Sequence, residues 1–229
     1  QHIQRMFLWA AAMSSISLVL TLVATRKPVR AEVRRRPRLW GILRKYHPGV
    51  ILLVSAGTGF TLGLPHTFVR AYTAELDIAG IRSFFLVYAS VAFVVRVTTR
   101  RLPDRIGVRP VILWGLASGA ISMLLYLCVR DAWSLALPAL FAGTAHALLF
   151  PAVMGGGSIT FPVRYRGIAT TLMLAMFDIG NLVGQPVVGA IIRGAAWVQL
   201  PGYGTMFVMV SMALWTLAAF YWYRTKLTA

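Results

Sequence analysis

Seven long apolar runs are the feature that most constrains the fold of this 229-residue chain. Each run is close to the roughly 20 mostly apolar residues that an α-helix needs to cross a bilayer. The predicted spans are 6–24, 49–72, 78–97, 110–129, 132–157, 167–192 and 200–223. Charged residues make up 13% of the chain, whereas a soluble domain carries roughly 25%. The sequence therefore predicts an all-α integral membrane protein with about seven transmembrane helices.

Two of these runs have alternatives. The uncharged stretch between Arg82 and Arg96 is short enough for a re-entrant or buried helix, but extension to 78–97 gives a span whose two arginines reach opposite interfaces. The run at 6–24 has the features of a signal peptide, yet it is long for the apolar core of one, and a strongly basic segment follows it. We interpret both runs as spans. The run at 6–24 would then belong to a chain whose preceding part is missing.

The positive charge of the chain indicates its orientation in the membrane. A net charge of +17 would suggest a nucleic-acid partner in a soluble protein. Here the basic residues collect between spans, so we predict no nucleic-acid partner. Most of them lie in 25–48, 96–109, 164–166 and 224–226. The opposite side carries Arg5, Arg70, Arg82, Arg130 and Arg193. The positive-inside rule then predicts a multi-pass protein of the cell inner membrane with a cytoplasmic C-terminus.

The sequence gives no indication of catalysis. Cys128 is the single cysteine, so neither an intrachain disulfide nor a CxxC site can form. The four histidines, His2, His47, His66 and His146, lack the H-E-x-x-H spacing, and no G-x-x-x-x-G-K-[ST] loop occurs. We therefore predict a protein that is not an enzyme and has no cofactor and no metal.

The only long connection, 25–48, is strongly basic. Its arginine cluster comprises Arg34, Arg35, Arg36 and Arg38. The apolar residues that follow, spaced for one helical face, are Leu39, Ile42, Leu43 and Tyr46. This pattern predicts a short interfacial helix on anionic lipids of the cytoplasmic leaflet. A solvated linker with accidental periodicity is the alternative.

Two polar segments carry a family resemblance. Residues 100–109 read RRLPDRIGVR, which resembles the cytoplasmic G-x-x-x-D-R-x-G-x-R/K signature of the major facilitator superfamily, although Arg100 replaces the leading glycine. Residues 161–167 read FPVRYRG and resemble the loop that enters the eleventh helix of that family. Residues that resemble the glycine-rich body of the same helix are Gly180, Gly184, Pro186 and Gly189.

The resemblance implies a transporter built from two six-helix halves. Residues 1–24 would be the last helix of the preceding half, 25–48 the central linker, and 49–229 the second half, a three-plus-three inverted repeat. The missing first half would be a partner, because alternating access needs two halves. The implied function is secondary transport of a small drug-like or sugar-like solute, by uptake or proton-coupled efflux as an antiporter. The alternative is a membrane scaffold or sensor that keeps the fold without transport.

Asp178 is the main candidate for the solute or coupling-ion path, because it is the only acid within a predicted span. An ionised aspartate near the bilayer midplane costs about 2.5–3.5 kcal/mol on insertion scales, so it needs a wet cavity, a cation or a partner. Asn181 and Gln185 follow at i+3 and i+7 and extend a polar stripe. A neutral Asp178 bonded to a neighbouring helix is the alternative.

Three further polar residues are path candidates. His66 and Arg70 share a face of the second span, and His146 lies in the fifth. The second span is interrupted by Gly57, Gly59, Gly63 and Pro65, which predicts a flexible or broken helix that lines a cavity. Alternatively, the glycines serve tight packing, Arg70 reaches the outer headgroups, and His146 bonds a neighbouring helix.

The signature loop predicts a cytoplasmic gate. Asp104 is the only acid among many arginines, so we expect it to form an ion pair, and its carboxylate also suits a helix N-terminus. Gly107 permits a tight turn between Arg105 and Arg109. The predicted gating residues are Arg96, Asp104, Arg105, Gly107, Arg109 and Arg166. A static loop without a role in gating is the alternative.

Overall fold

A computed structural model of the chain describes residues 2–25, 39–78 and 80–226, and the regular elements within these ranges are all helical. Two helices precede the main bundle: α1, His2–Ala24, and α2, Leu39–Lys45. The long helices that follow are α3, Ile51–Glu75; α4, Arg82–Thr99; α6, Val108–Leu125; α7, Ala136–Ile159; α8, Arg166–Trp197; and α9, Gly202–Lys226. The short α5, Leu102–Ile106, precedes α6. Single 3₁₀ turns occupy Tyr126–Cys128 and Val163–Tyr165.

Seven helices in the described part of the chain are long and apolar enough to cross a membrane. This confirms the predicted all-α membrane fold. The clearest difference concerns α4, which was predicted at 78–97 and begins only at Arg82. Asp77 and Gly80 have φ values of 54° and 102°. Such left-handed backbone cannot belong to a right-handed helix, so the span starts after it.

The chain forms two compact units, Gln1–Arg44 and Lys45–Ala229. In the first, α1 has an exposed apolar surface from Phe7 to Ala24, as expected of a helix whose solvent is lipid. A helix is present where the periodicity after the arginine cluster predicted one, as α2. The clustered arginines of the predicted linker, Arg34, Arg35, Arg36 and Arg38, lie outside the described residues.

The second unit is a six-helix bundle organised around α7. This helix packs against α3, α4, α6 and α8, while α9 packs against α3, α6 and α8. The buried face of α7 is built from small side chains, among them Ala139, Ala142, Ala145 and Ala152. Small residues let membrane helices approach closely enough for dispersion forces to hold them together. The face of each helix that is not used in this packing remains exposed.

A close backbone approach joins α3 to α8. A Cβ atom at Gly59 would collide with the carbonyl of Phe177, and one at Gly180 would collide with the carbonyl of Ala56. Only glycine fits at such a contact. The α3 helix continues through Pro65 without interruption, so the expectation of a broken helix is wrong. Gly59 and Gly63 make room for α8, and Gly57 makes room for Leu217 of α9, without unwinding the backbone.

Candidate functional site

The polar stripe of α8 lies within a membrane-spanning helix. Asp178 follows Arg166, the first residue of α8, by 12 positions, or about 18 Å of helix. Its side chain is exposed, and it forms no ion pair with any described residue. Asn181 and Gln185 are half-buried. Gln185 Nε2 donates a hydrogen bond to Asn181 Oδ1 at 3.1 Å, which ties the two amides into one polar unit.

The amide pair is seated against the backbone of α3. A Cβ atom at Gly63 would collide with Asn181 Oδ1 and would lie 3.0 Å from Gln185 Nε2. Gln185 Oε1 is buried and has no hydrogen-bond partner among the described residues. An unsatisfied buried acceptor costs about 1–3 kcal/mol. A water molecule or a solute that donates a hydrogen bond at this position would remove that cost.

The two flanks of α8 have opposite character. Ile179, Val183 and Val187 line an apolar groove of about 780 Å³ between α3, α8 and α9. At 100° per residue, Asp178 points away from Val187, and Gln185 lies on the side of Asp178. The polar stripe therefore faces away from the apolar groove.

A chain of aromatic and imidazole rings begins on α3. The His66 ring stacks on Phe85 of α4, with centroids 5.7 Å apart and an interplanar angle of 20°. It also meets the edge of Tyr88 at 5.9 Å. The hydroxyl of Tyr88 shares a hydrogen bond with Nδ1 of His146 on α7. The structure thus brings the two predicted histidines together through Tyr88.

The same chain of rings continues to the polar stripe. The ring of His146 lies 6.1 Å from Phe150 on the same helix. Phe150 meets the edge of Phe177 on α8, with centroids 5.6 Å apart, and Phe177 directly precedes Asp178. Rings from α3, α4, α7 and α8 therefore form one connected series, which we call the aromatic chain: His66, Phe85, Tyr88, His146, Phe150 and Phe177.

Sequence reasoning missed Tyr88. Its signal was a hydroxyl-bearing ring in the middle of the predicted span 78–97, too far from either end to serve as an interface anchor. The spacing of residues along α4 carries no information about α7, so the partnership with His146 required the tertiary structure. Phe85 and Phe177 were missed for the same reason.

The path candidate Arg70 and the predicted gating residue Arg96 both lie apart from Asp178. Arg70 is exposed one turn beyond His66, toward the C-terminal end of α3. Arg96 is exposed near the opposite membrane end, in the last turn of α4. It lines a small cavity of about 140 Å³ together with Pro103 and Pro151. The structure therefore distributes the predicted path residues along the depth of the bundle and does not gather them into one cluster.

The signature loop forms the corner between α4 and α6. Gly107 has a φ of 87°, and its N–H donates to the carbonyl of Pro103 at 3.0 Å, so the tight turn is present. Arg109 Nη2 donates to the carbonyl of Trp222 in α9 at 2.8 Å. Arg100 continues the helical backbone after α4 with φ −54° and ψ −30°. The exposed Arg100 side chain therefore replaces the expected glycine without disturbing this corner.

The expected ion pair of Asp104 is wrong. Asp104 lies in the first turn of α5, where a carboxylate interacts favourably with the free N–H groups. It is exposed and makes no ion pair within residues 2–25, 39–78 and 80–226. Arg105 and Arg166 are exposed as well, and Arg109 is directed to α9. Closeness in sequence therefore does not bring these long side chains to the carboxylate.

A search of the described residues finds no group of three or more His, Cys, Asp or Glu side chains placed to hold a metal ion. The chain was also compared with known proteins. The family model described as MFS_1 like family matches residues 2–209, which include the signature loop, the aromatic chain and the polar stripe. No curated protein and no solved structure matches the chain.

Proposed function

Since the chain belongs to the MFS_1 like family, a family of membrane transporters, we propose that its six-helix bundle forms one half of the path of a secondary transporter. A small solute crosses the membrane as this bundle and a second six-helix unit rock about the path between them. The proposed driving force is a proton gradient, used for uptake or for efflux in exchange. The proposed location is the cell inner membrane, with the C-terminus in the cytoplasm.

The observation that carries this proposal is the exposed polar face of the bundle. Its main members are Asp178, His66 and the half-buried His146. Such side chains in contact with lipid would be costly, about 2.5–3.5 kcal/mol for a central aspartate. A face of this kind is stable against water or against a second protein surface. An aqueous path between two bundles provides both.

The chemistry of the face indicates what it would recognise. The rings of His66, Phe85 and Phe150 offer flat apolar surfaces, and aromatic contacts contribute about 0.5–1.5 kcal/mol beyond the burial of area. Asn181 and Gln185 add hydrogen-bonding groups, and the buried Tyr88 holds the ring of His146 through its hydroxyl. Drug-like and sugar-like solutes both combine an apolar face with polar groups, so both belong to the proposed substrate class.

Removal of the Tyr88 hydroxyl tests this function. We expect Tyr88→Phe to raise the KM for transport by about threefold to tenfold, since a net hydrogen bond contributes about 0.5–1.5 kcal/mol. The ring remains against His66 and His146, so the fold should be kept. The measurement is solute uptake into proteoliposomes that contain the intact protein, with and without an imposed pH gradient, over a panel of drug-like and sugar-like molecules.

Tyr223→Phe is the matched control, because Tyr223 is exposed near the end of α9 and takes no part in the aromatic chain. It should leave the KM unchanged. Equal KM values for the parent and the Tyr88→Phe protein would contradict the assignment of the aromatic chain to solute binding. If no molecule of the panel moves under any gradient, the scaffold or sensor function replaces transport.

We further propose that the signature loop gates the cytoplasmic end of the path, with Asp104 as its charged centre. In the structure Asp104 is exposed and has no ionic partner among the described residues. Its carboxylate is therefore able to pair with a cationic side chain in a second conformation. Asp104→Asn should slow transport by about threefold to tenfold, the effect of losing one charge-assisted bond of roughly 1 kcal/mol. Thermal stability should remain that of the parent.

Uptake rates of Asp104→Asn and of Asp104→Glu distinguish gating from a structural role. The glutamate variant keeps the charge and should retain most of the rate. Parental rates in both variants would show that this loop only connects α4 to α6.

The proposed orientation predicts a pattern of thiol labelling. Single cysteines at the exposed positions Arg105, in α5, and Arg164, in the 3₁₀ turn before α8, should react with an impermeant maleimide only from the cytoplasm. A cysteine at Arg130, in the loop before α7, should react only from outside. Cys128 is exposed and is replaced by serine in all variants. Labelling of the Arg105 position from outside would reverse the orientation.

A further inference from the structure

A cavity of about 610 Å³ lies where four spans of the bundle end, and none of its lining residues belongs to the aromatic chain or the polar stripe. The helices α3 and α6 begin at its wall, and α7 and α9 end there. Its volume falls within the roughly 300–1,000 Å³ that is typical of ligand pockets. Because all four spans terminate here, the cavity lies at the level where the hydrocarbon of the membrane meets its headgroups.

The walls of this cavity combine apolar and cationic groups. Val50, Ile51 and Ile159 provide apolar surface, and the cations are Arg109 and Arg224. The described lining residues include no acid. A pocket with this composition suits an amphiphile whose polar part is an anion.

The cations of this region are held in place by the end of α9. The Arg109 guanidinium donates to the carbonyl of Trp222 at 2.8 Å. The Arg224 guanidinium lies 5.8 Å from the centre of the Phe220 ring. Lys226 lies 5.2 Å from the Trp222 ring and, with Arg109, lines an adjoining cavity of about 390 Å³. Guanidinium groups that are already ordered lose less freedom when they bind an anion.

Cations near the last turn of a helix also stabilise the helix by themselves, through its carbonyl groups. That role explains the contact between Arg109 and Trp222. It does not explain an apolar cavity beside these cations at the membrane surface. Lipid is the amphiphile that every membrane protein meets at this depth, and basic pockets between spans bind anionic headgroups.

We propose that this cavity binds an anionic phospholipid, with its phosphate between Arg109 and Arg224 and the upper part of its acyl chains against Val50, Ile51 and Ile159. The bound lipid joins the start of α6 to the end of α9. This site differs from the predicted lipid contact of the linker 25–48, because its lining residues belong to the six-helix bundle. It also does not depend on transport activity.

Native mass spectrometry of the full chain tests the proposal. Phosphatidylglycerol and phosphatidylcholine with identical acyl chains are added in equal amounts to the detergent-purified protein. The parent should retain phosphatidylglycerol preferentially. The double variant Arg109→Gln/Arg224→Gln should lose about tenfold or more of that preference, since each basic group near a membrane contributes about 1 kcal/mol toward anionic lipid.

Two comparisons separate this site from general electrostatic attraction. Arg130→Gln/Arg193→Gln removes two exposed charges at the opposite membrane end and should keep the preference. Ile159→Trp fills the cavity while both arginines remain, and it should lose phosphatidylglycerol as well. This second variant keeps the test decisive even if the double glutamine variant does not fold.

An unchanged preference in Arg109→Gln/Arg224→Gln, or full retention of phosphatidylglycerol in Ile159→Trp, would overturn the proposal. Glycerol phosphate, which has the anion and no acyl chain, should fail to displace phosphatidylglycerol at equal concentration. Displacement by glycerol phosphate would identify a site for soluble phosphates and would also overturn the lipid assignment.

Discussion

Replacement of Asp178 by asparagine is expected to lower gradient-driven solute flux by about tenfold to a hundredfold. This range corresponds to the roughly 1.5–3 kcal/mol that a bond to a charged group contributes. Asparagine keeps the shape and removes the charge that the path would offer to a proton or a cationic group. Because Asp178 is exposed and makes no ion pair with the described residues, the variant should fold and insert normally.

Flux into proteoliposomes is measured from about pH 5.5 to 8.5, on both sides of neutral pH. Asp131→Asn is the control. Asp131 lies outside the spans, where hydrogen bonds from Ser134 and from the N–H of Trp133 lower the pKa of its carboxyl. Asparagine can accept the same backbone hydrogen bonds in this turn, so this variant should transport normally. If Asp178→Asn matches the parent across this range, Asp178 is structural.

Gly180→Ala is expected to destabilise the bundle by about 1–3 kcal/mol, the usual cost of forcing extra atoms into a packed interior. The added methyl group would collide with the backbone carbonyl of Ala56. A backbone atom cannot rotate away as a side chain can, so α3 and α8 must separate. The readout is the thermal midpoint of the detergent-solubilised protein.

Gly194→Ala on the same helix is the matched control, because nothing lies within 4 Å of a Cβ atom there. It should leave the protein as stable as the parent or up to about 1 kcal/mol more stable, since alanine favours a helix over glycine. Equal thermal midpoints for Gly180→Ala and Gly194→Ala would show that α3 and α8 do not pack at Gly180.

The number and type of helices were predictable because spanning a bilayer depends on the length and polarity of a run, both of which are local. The start of α4 was harder to predict. The predicted span 78–97 includes Gly80, whose left-handed backbone ends any helix. Asp178 was identifiable as a path candidate for a local reason too, since it is a single acid in an apolar run.

The partnerships between helices were beyond the sequence. Whether Gly59 marks a break or a contact depends on what faces it, and only the structure shows the carbonyl of Phe177 there. The bond between Tyr88 and His146 joins residues 58 positions apart. The ion pair expected for Asp104 does not form among the described residues, and Arg109 donates to a carbonyl of α9 instead.

The central claim is that the face of α8 bearing Asp178 lines an aqueous path and does not face lipid. Thiol accessibility in the membrane tests it most directly, with single cysteines in Cys128→Ser protein. Leu174 lies one turn before Asp178 on the same flank and is 39% exposed, while Met212 on α9 is 64% exposed and is remote from the aromatic chain.

A charged, water-soluble thiol reagent is applied from both sides of the membrane. The cysteine at Leu174 should react, because water reaches the path, while the cysteine at Met212 should react only with a lipid-soluble maleimide. Labelling at Met212 but not at Leu174 by the charged reagent would contradict the account and place the face of Asp178 against lipid.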